Sequence, residues 1–329
     1  MPVRKTESRI PAGLAATDLG EAVVAADGRC ALVSFITSPL AVSRENTYVV
    51  FVTDTTLAAA TQSFEWTFTP SDGTAPNVQT TDEGETTFTP ASEGTVDLVV
   101  RLLDSSSTEQ ARLELVQDVS QPNPTIEAMI ANTADGPGPG MGNTDVLTEL
   151  VNDHTPYYLD VKLATPEAGD AFTQFLFSTI TGGILERTSD KRSYLLDQVA
   201  DSLNTGNTDY ISATSPGIGV AGIRLVLVAM MLPPMAIPYT ELPQASDANA
   251  AGDEALRKQL AAMNESDRID LFNLVRFPKS NITLCGKLLQ ALRDKLFPGV
   301  TFDDIMTKMS GTMGVWVTRS YKNGPLIRT

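Results

Sequence analysis

The chain contains few of the residues on which disulfide-bonded and zinc-binding folds depend. Its 329 residues include two cysteines, Cys30 and Cys285, and one histidine, His154. Two distant cysteines cannot form a disulfide scaffold, and with a single histidine they fall short of the four ligands of a structural zinc site. The sequence therefore predicts two buried, reduced thiols and no metal centre.

The chain also has no long uninterrupted apolar segment. Its first ten residues carry several charges and are not followed by an apolar stretch of signal-peptide length. The most apolar run, 218–237, contains Arg224 and is broken by Pro233 and Pro234, whereas a membrane helix needs about 20 residues with few or no charges. We therefore predict no membrane insertion, with synthesis in the cytoplasm and association with a particle.

Positive charge is also scarce. Lys and Arg number 24 against 40 Asp and Glu, which gives a net charge of −16. A field of this sign repels nucleic acid phosphates and anionic membranes, so neither is an expected partner. The charge is uneven, because residues 1–120 have a net charge of −10 and residues 254–329 one of +5. The basic segment is either a solvated helix surface or a docking surface for an acidic partner, including another copy of the chain.

Against these absences, residues 26–120 have a regular strand pattern. Short runs of β-branched and aromatic residues alternate with polar ones, and clusters of Pro, Gly, Asp and Ser separate the runs. The runs are 29–37, 47–53, 64–68, 85–89, 95–103 and 111–119. Six short strands without helical periodicity among them are typical of a β-sandwich.

Two of these strands form a motif in which an aromatic strand ends in Asp-Gly and an alternating strand begins after a glycine. The matching positions are Trp66-Thr67-Phe68, Asp72-Gly73, Phe88, Gly94, 96–100 and Asp104. With this motif, residues 26–119 resemble the PKD-type domain, a branch of the immunoglobulin-like sandwiches, although Pro70-Ser71 replaces a family glycine and Phe88 a tyrosine. The resemblance implies a spacer or interaction module without catalytic residues.

The motif leads to two structural expectations. Trp66 and Phe68 are expected to point into the core from one sheet, and the alternate residues of 96–100 from the facing sheet. Gly73 is expected to supply the positive φ that a tight hairpin needs.

The pattern changes after Pro122 and Pro124, which end the last strand. The predicted fold class is multi-domain, an all-β immunoglobulin/PKD-like sandwich followed by a mainly α-helical domain. Its segments are an N-terminal segment 1–25, the sandwich 26–120, a Pro/Gly-rich linker 121–145 and the helical domain 146–329. The helices are predicted at 165–181, 189–203, 218–232, 249–263, 266–276, 281–296 and after Thr301, with a short closing strand at 313–321.

A glycine motif invites a cofactor interpretation. Gly217, Gly219 and Gly222 match G-x-G-x-x-G, which in a dinucleotide site lies between a buried strand and a helix. Residues 210–216 are too polar and too short for that strand. Small residues at the start of a closely packed helix are the preferred interpretation, and no cofactor is assigned.

Acidic residues cluster around Tyr157-Tyr158. They are Glu149, Asp153, Asp160 and Glu167. Two carboxylates that flank a cleft can hydrolyse a glycosidic bond, and aromatic rings beside them can stack on a sugar. Helix caps and solvated faces explain the same residues, and this is the preferred interpretation.

Two further groups have a simpler structural explanation. A nucleophile pair of Cys285 and His154 is disfavoured, because Cys285 falls on an apolar helix face. Asp303 and Asp304 follow Thr301 at a predicted helix start, where a cap and the helix dipole explain them better than a metal does.

These observations predict a non-enzymatic structural or interaction protein. Its expected place is as a component or cargo of a larger assembly, such as a virus-like, phage-tail-like or injection particle. The expected partners are other protein subunits or other copies of the chain, with no catalytic, cofactor-binding or metal-ligating residue assigned. The alternative is a cell-wall-type glycan hydrolase that uses paired carboxylates of the helical domain.

Overall fold

A computed structural model describes residues 9–122, 157, 161, 170–185, 219–223 and 265–307. The chain divides into two compact units. The first holds Met1–Gly136, Thr148–Pro156 and Ile269–Ser280, and the second holds Pro137–Leu147, Tyr157–Arg268 and Asn281–Thr329. The first unit therefore combines the N-terminal part of the chain with a short segment from much later in the sequence.

Two sheets make up most of the first unit. The four-stranded sheet has the order β1-β2-β4-β7, and all its pairs are antiparallel. The five-stranded sheet has the order β3-β9-β8-β5-β6, in which only β3 and β9 are parallel. The strands are β1 Glu21–Val24, β2 Cys30–Ser34, β3 Leu40–Ala41, β4 Asn46–Val52, β5 Ser63–Pro70, β6 Asn77–Thr81, β7 Glu85–Phe88, β8 Gly94–Leu103 and β9 Glu109–Ser120.

The two sheets enclose one hydrophobic core, an arrangement compatible with a β-sandwich. Trp66 and Phe68 of β5 are fully buried and face Tyr48 of β4 and Phe88 of β7 across the core. The rings of Phe68 and Phe88 stack with centroids 4.3 Å apart. One of the sheets is curled like half a barrel.

The predicted placement of the two motif strands in facing sheets is wrong. Trp66 lies opposite Val100, and Phe68 opposite Leu98, as neighbours in the five-stranded sheet. Alternation identifies which side chains point inward, but it carries no information on which strands pair. The turn prediction is confirmed, because Gly73 has a φ of +84° and the Asp72 carboxylate accepts the Thr74 N–H at 2.8 Å.

The strand pattern predicts six of the nine described strands to within a few residues: β2, β4, β5, β7, β8 and β9. It does not predict β1, β3, β6 or the helix α1, Thr55–Ala60. Asp54 caps the N-terminus of α1, because its side chain accepts the Leu57 N–H. β3 has only two residues, and β6 has a single apolar side chain, so neither has a periodic pattern.

The outer face of the four-stranded sheet is buried as well. β2 is buried at every position, and so is β4 except at Thr47. Residues of the N-terminal segment and Phe277 cover this face. The fully buried ring of Phe277 lies 4.6 Å from that of Phe35 and 5.6 Å from that of Phe51. A sheet buried on both faces has continuous apolar strands, which explains the run from Val49 to Val52.

Polar contacts fix the segment that carries Phe277. Asp270 pairs with the Arg9 guanidinium at 2.7 Å and accepts the Ala12 N–H at 3.1 Å. The Lys279 ammonium donates to the Thr17 carbonyl at 2.8 Å. The covering layer is therefore made of residues 9–19 and 269–280 joined to each other.

A buried arginine joins this layer to the edge of the sheet. Arg276 pairs with Glu85 of β7 at 2.7 Å, and its Nε donates to the Asn273 amide oxygen at 2.8 Å. Its guanidinium also lies over the rings of Phe272 and Phe277, at 5.1 and 4.9 Å from their centroids. Charge pairing and ring contact together compensate for removing this cation from water.

The described helices outside the first 122 residues are α2 Asp170–Leu185, α3 Glu265–Arg276, α4 Pro278–Leu296 and α5 Phe302–Thr307. In the second unit, Phe302 of α5 contacts Phe172 and Phe175 of α2 at 5.0 and 5.4 Å. Gly286 of α4 allows close approach, because a Cβ there would lie 2.7 Å from Val161.

The predicted fold class, a sandwich followed by a mainly α-helical domain, is wrong. The described chain is a mixed structure, with two sheets and a few short helices. Helical periodicity correctly locates α3, α4 and α5, but it describes local conformation only. It cannot show that residues 269–280 pack on a β-sheet as part of the first unit.

Some helix boundaries also differ from the prediction. α2 continues through Gly182 and Gly183, where it was expected to end, and reaches Leu185. Residues 219–222 form turns and not the start of a helix over 218–232. The linker 121–145 lies almost entirely outside the described residues, as do the predicted helices 189–203 and 249–263 and the strand 313–321.

Candidate interaction surface

In the described part of the first unit, the outer face of the five-stranded sheet is exposed. Inward residues of β5 and β8 are buried, whereas their outward neighbours are half-buried or exposed. Two valines on this outer face, Val78 of β6 and Val116 of β9, are each 60% exposed. An exposed face of this kind offers both polar and apolar contacts to another protein.

Ion pairs cross the outer face from strand to strand. Arg101 on β8 contacts Glu65 on β5 at 2.7 Å and Glu109 on β9 at 2.9 Å. Arg112 contacts Glu114 along β9 at 2.7 Å. All these side chains are partly or largely exposed, so the pairs contribute little stability and serve mainly to match charges across the sheet.

One edge strand of the five-stranded sheet, β6, carries no charged residue. β6, with the sequence Asn77-Val78-Gln79-Thr80-Thr81, pairs only with β5, and no other described strand adjoins it. Val78 and Thr80 point to the exposed outer face, since their partners on β5 are the outward residues Thr67 and Glu65. A sheet edge without charge or proline is a ready template for another strand.

The remaining described edges carry charges. β9 is paired by β3 only at its last two residues, and the rest of its edge bears Glu109, Arg112, Glu114 and Asp118. β7 carries Glu85, which is bound to Arg276, and β1 begins at Glu21. Charged side chains on an edge hinder pairing with a further strand. Of the described edge strands longer than two residues, β6 is the one that carries no charged side chain.

Side-chain hydrogen bonds hold β6 in place. The indole N–H of Trp66 donates to Thr81 Oγ1 at 2.9 Å, and Thr81 Oγ1 donates to the Glu83 carbonyl. Gln79 reaches the other sheet, where it accepts from Thr86 Oγ1 at 2.6 Å and donates to the Thr87 carbonyl at 3.1 Å. These hydrogen bonds tie β6 to both sheets.

A buried polar cluster lies between the sheets at the end near β3. Ser34, Asn46, Tyr48 and Gln117 are each at most 2% exposed. Tyr48 donates to Gln117 Oε1 at 2.9 Å, Asn46 Nδ2 donates to Ser34 Oγ at 2.7 Å, and Gln117 Nε2 donates to the Glu21 carboxylate. Burial raises the pKa of Tyr48, which remains a neutral donor.

This cluster has the chemistry of structural hydrogen bonding. The Ser34 hydroxyl donates to the Ile36 carbonyl at 2.7 Å, so its proton points to a backbone oxygen and not to a general base. Ser38 N–H donates to Glu21 Oε2 at 2.9 Å, which ties the carboxylate to the same network. Satisfied buried networks of this kind specify a unique packing.

The glycine motif forms a turn with an internal partner. Gly219 and Gly222 have φ of +70° and +59°, and the Gly222 N–H donates to the Gly219 carbonyl at 3.1 Å. The Ala221 N–H donates to the buried Oδ1 of Asn281 at 2.7 Å. A pyrophosphate site needs such N–H groups for its ligand, so this arrangement favours a structural role. Gly217 lies outside the described residues.

The structure does not test whether the acidic residues of the hydrolase alternative lie close together. Glu149, Asp153, Asp160 and Glu167 lie outside the described residues. Tyr157 is described and is 1% exposed, so its ring is not available for stacking on a sugar. No described contact therefore favours glycan hydrolysis.

Both cysteines are buried thiols outside any disulfide, as predicted. Burial raises the pKa of Cys30 to about 11, and Cys285 lies fully buried beside Leu284 and Leu288 of α4. His154, its hypothetical partner, is outside the described residues. Asp304 forms a cap with Thr301, whose Oγ1 accepts the Asp304 N–H at 3.0 Å, as the helix-start interpretation predicts.

Comparison with protein-family models, with curated proteins and with solved structures gives no match to this chain. Among the described helices, none is both long and apolar enough to cross a membrane. Within the same residues, no three His, Cys, Asp or Glu side chains are grouped so as to hold a metal ion.

Proposed function

We propose that this chain is a structural or interaction protein that works as a component of a larger protein assembly. The observation that supports this most directly is the contrast between the two sheets. The four-stranded sheet is covered on its outer face by the chain's own residues 9–19 and 269–280. The five-stranded sheet leaves its outer face and the β6 edge exposed. Surfaces of this kind are used for partner binding.

The resemblance to PKD-type domains supports the same role. Three local features fit it: the positive φ of Gly73, the stacking of Phe68 on Phe88, and the buried Trp66. We propose that residues 26–119 are a module of this type. Such a module serves as a spacer or an interaction domain, because its sheets offer edges and faces and no reacting group.

The partners we propose are protein subunits, including other copies of this chain, in a virus-like, phage-tail-like or injection particle. The uneven charge supports association between copies, since residues 1–120 have a net charge of −10 and residues 254–329 one of +5. Opposite charges on different parts of one chain attract its neighbours at moderate ionic strength.

Native mass spectrometry of the protein isolated from its source tests the proposal. The expected result is a complex of fixed stoichiometry, with other subunits or with further copies, that weakens as salt is raised. A monodisperse monomer that carries no partner at any salt concentration would overturn the proposed function.

A further inference from the structure

We infer that β6 is a self-association site, at which two copies of the chain pair their β6 strands antiparallel and join their five-stranded sheets. This inference rests on the proposed function and names the surface and the partner. It starts from the observation that, among the described strands, β6 pairs with β5 alone, and that it carries no charged residue.

The distribution of charge favours a second copy of the chain as the partner that pairs with β6. Residues 1–120, which include β6, have a net charge of −10, so two copies can meet through this region only at a strip where no acidic residues oppose each other. β6 is such a strip, whereas β9 bears Glu109, Glu114 and Asp118 along its edge. A foreign strand selected by its basic residues would instead favour an acidic edge, which β6 does not offer.

The sequence of β6 is self-complementary in an antiparallel pair. With Gln79 of each copy on the two-fold axis, Val78 lies beside Thr80 of the second copy on the outer face. Asp82, the first charged residue after the strand, then faces Pro76 of the second copy, so no acidic side chains oppose each other. Val and Thr side by side are a favourable cross-strand pair.

The length of β6 limits the strength of this contact. Five residues extend about 17 Å, and pairing one such strand buries much less than the roughly 1,200–2,000 Å² of a stable interface. We therefore expect a weak, reversible dimer that forms at high protein concentration or where neighbours in an assembly are held close together.

The decisive substitution is Val78→Lys. Val78 is 60% exposed, so a lysine there leaves the fold intact. In the pair, the introduced lysines of the two copies would lie about 7–8 Å apart, across the diagonal of the two strands, and their like charges would repel. Val116→Lys is the matched control, because Val116 is equally exposed on the same face but lies on a different strand.

Sedimentation equilibrium over a wide concentration range measures the outcome. The wild-type chain and Val116→Lys should show a concentration-dependent dimer, and Val78→Lys should raise the dissociation constant of the dimer at least tenfold. Mixing Val78→Lys with Val78→Glu should restore a heterodimer, which a general loss of folding would not do. Unchanged dimerisation of Val78→Lys, failure of the mixture to pair, or a wild-type monomer at every concentration would overturn the inference.

The proposed function and the β6 inference can be refuted independently of each other. If the wild-type chain is monomeric by sedimentation yet isolates from its source with other subunits, the β6 inference is wrong and the assembly role remains. If it dimerises but Val78→Lys has no effect, self-association occurs at another surface. The two experiments together therefore identify which of the two proposals is in error.

Discussion

Replacing Phe277 by alanine tests whether residues 269–280 are an integral part of the first unit. The Phe277 ring is fully buried between Phe35 and Phe51, on the outer face of the four-stranded sheet. It reaches that sheet from the junction of α3 and α4. Removing the ring leaves the apolar face of β2 and β4 with a cavity where its central cover had been.

The expected loss can be estimated from its parts. Withdrawing a phenylalanine side chain from water is worth about 1.5–3 kcal/mol, and each ring–ring contact adds about 0.5–1.5 kcal/mol. Measured Phe→Ala changes in protein cores cost about 3–5 kcal/mol. The contacts of Asp270 and Lys279 hold the segment that carries Phe277, so the cavity cannot close fully and we expect a loss of about 3–5 kcal/mol.

Urea unfolding followed by the fluorescence of Trp66 is the appropriate assay. The chain has two tryptophans, so the measurement is made in a Trp316→Phe background in which the buried Trp66 alone reports on the core. Val116→Ala is the control, and its exposed position predicts a change below about 0.5 kcal/mol. A loss below about 1 kcal/mol for Phe277→Ala would show that the ring does not cover the sheet in solution.

Three further predictions follow from single positions. Gly20→Ala should destabilise the first unit by about 2 kcal/mol or more in urea titration, because a Cβ there would collide with the Ser34 carbonyl; equal stability of the variant would contradict this. Asp72→Asn should lower the melting temperature at pH 7. Hydrogen bonds from Ser92 and Thr74 lower the Asp72 pKa, so the stabilisation exists above the ordinary value of 3.8 and is lost as the pH falls through the lowered pKa. A difference from wild type that does not shrink as the pH falls below 3.8 would refute it. Finally, Cys30, with a pKa of about 11, should resist iodoacetamide at pH 8 unless the protein is unfolded, which mass spectrometry of the alkylated peptide can determine.

Local patterns in the sequence predict the inward residues of the sheets well. Phe64, Trp66 and Phe68 alternate with polar residues, and all three are fully buried. The turn at Asp72-Gly73 is predicted for a chemical reason, since glycine, which has no Cβ, adopts a positive φ readily. Such features depend on residues close together in the sequence.

Pairing and coverage depend on distant residues, and there the prediction fails. Trp66 pairs with Val100 on β8 in the same sheet, and alternation along the strands would be identical if the two strands lay in facing sheets. The continuous apolar run 49–52 indicates that both faces of β4 are buried, but it does not say what covers the outer one. Phe277 could not be identified as that cover from a helical pattern at residues 266–296.

The candidate interaction surface was missed for a related reason. β6 has one apolar residue, so its strand character comes from pairing with β5 and not from periodicity. The available signal was the Asp72-Gly73 turn, which implies a returning strand shortly after it. Its lack of charge becomes informative only when the sheet order shows that it is an edge.

The joining of residues 9–19 to 269–280 has a consequence for biosynthesis. Asp270 emerges 261 residues after Arg9, which at about 5–20 residues per second is a delay on the order of 10–50 s. During that time the apolar outer face of β2 and β4 has no C-terminal cover on the growing chain. Until its own late segment arrives, the nascent protein therefore presents this face to chaperones and to other chains.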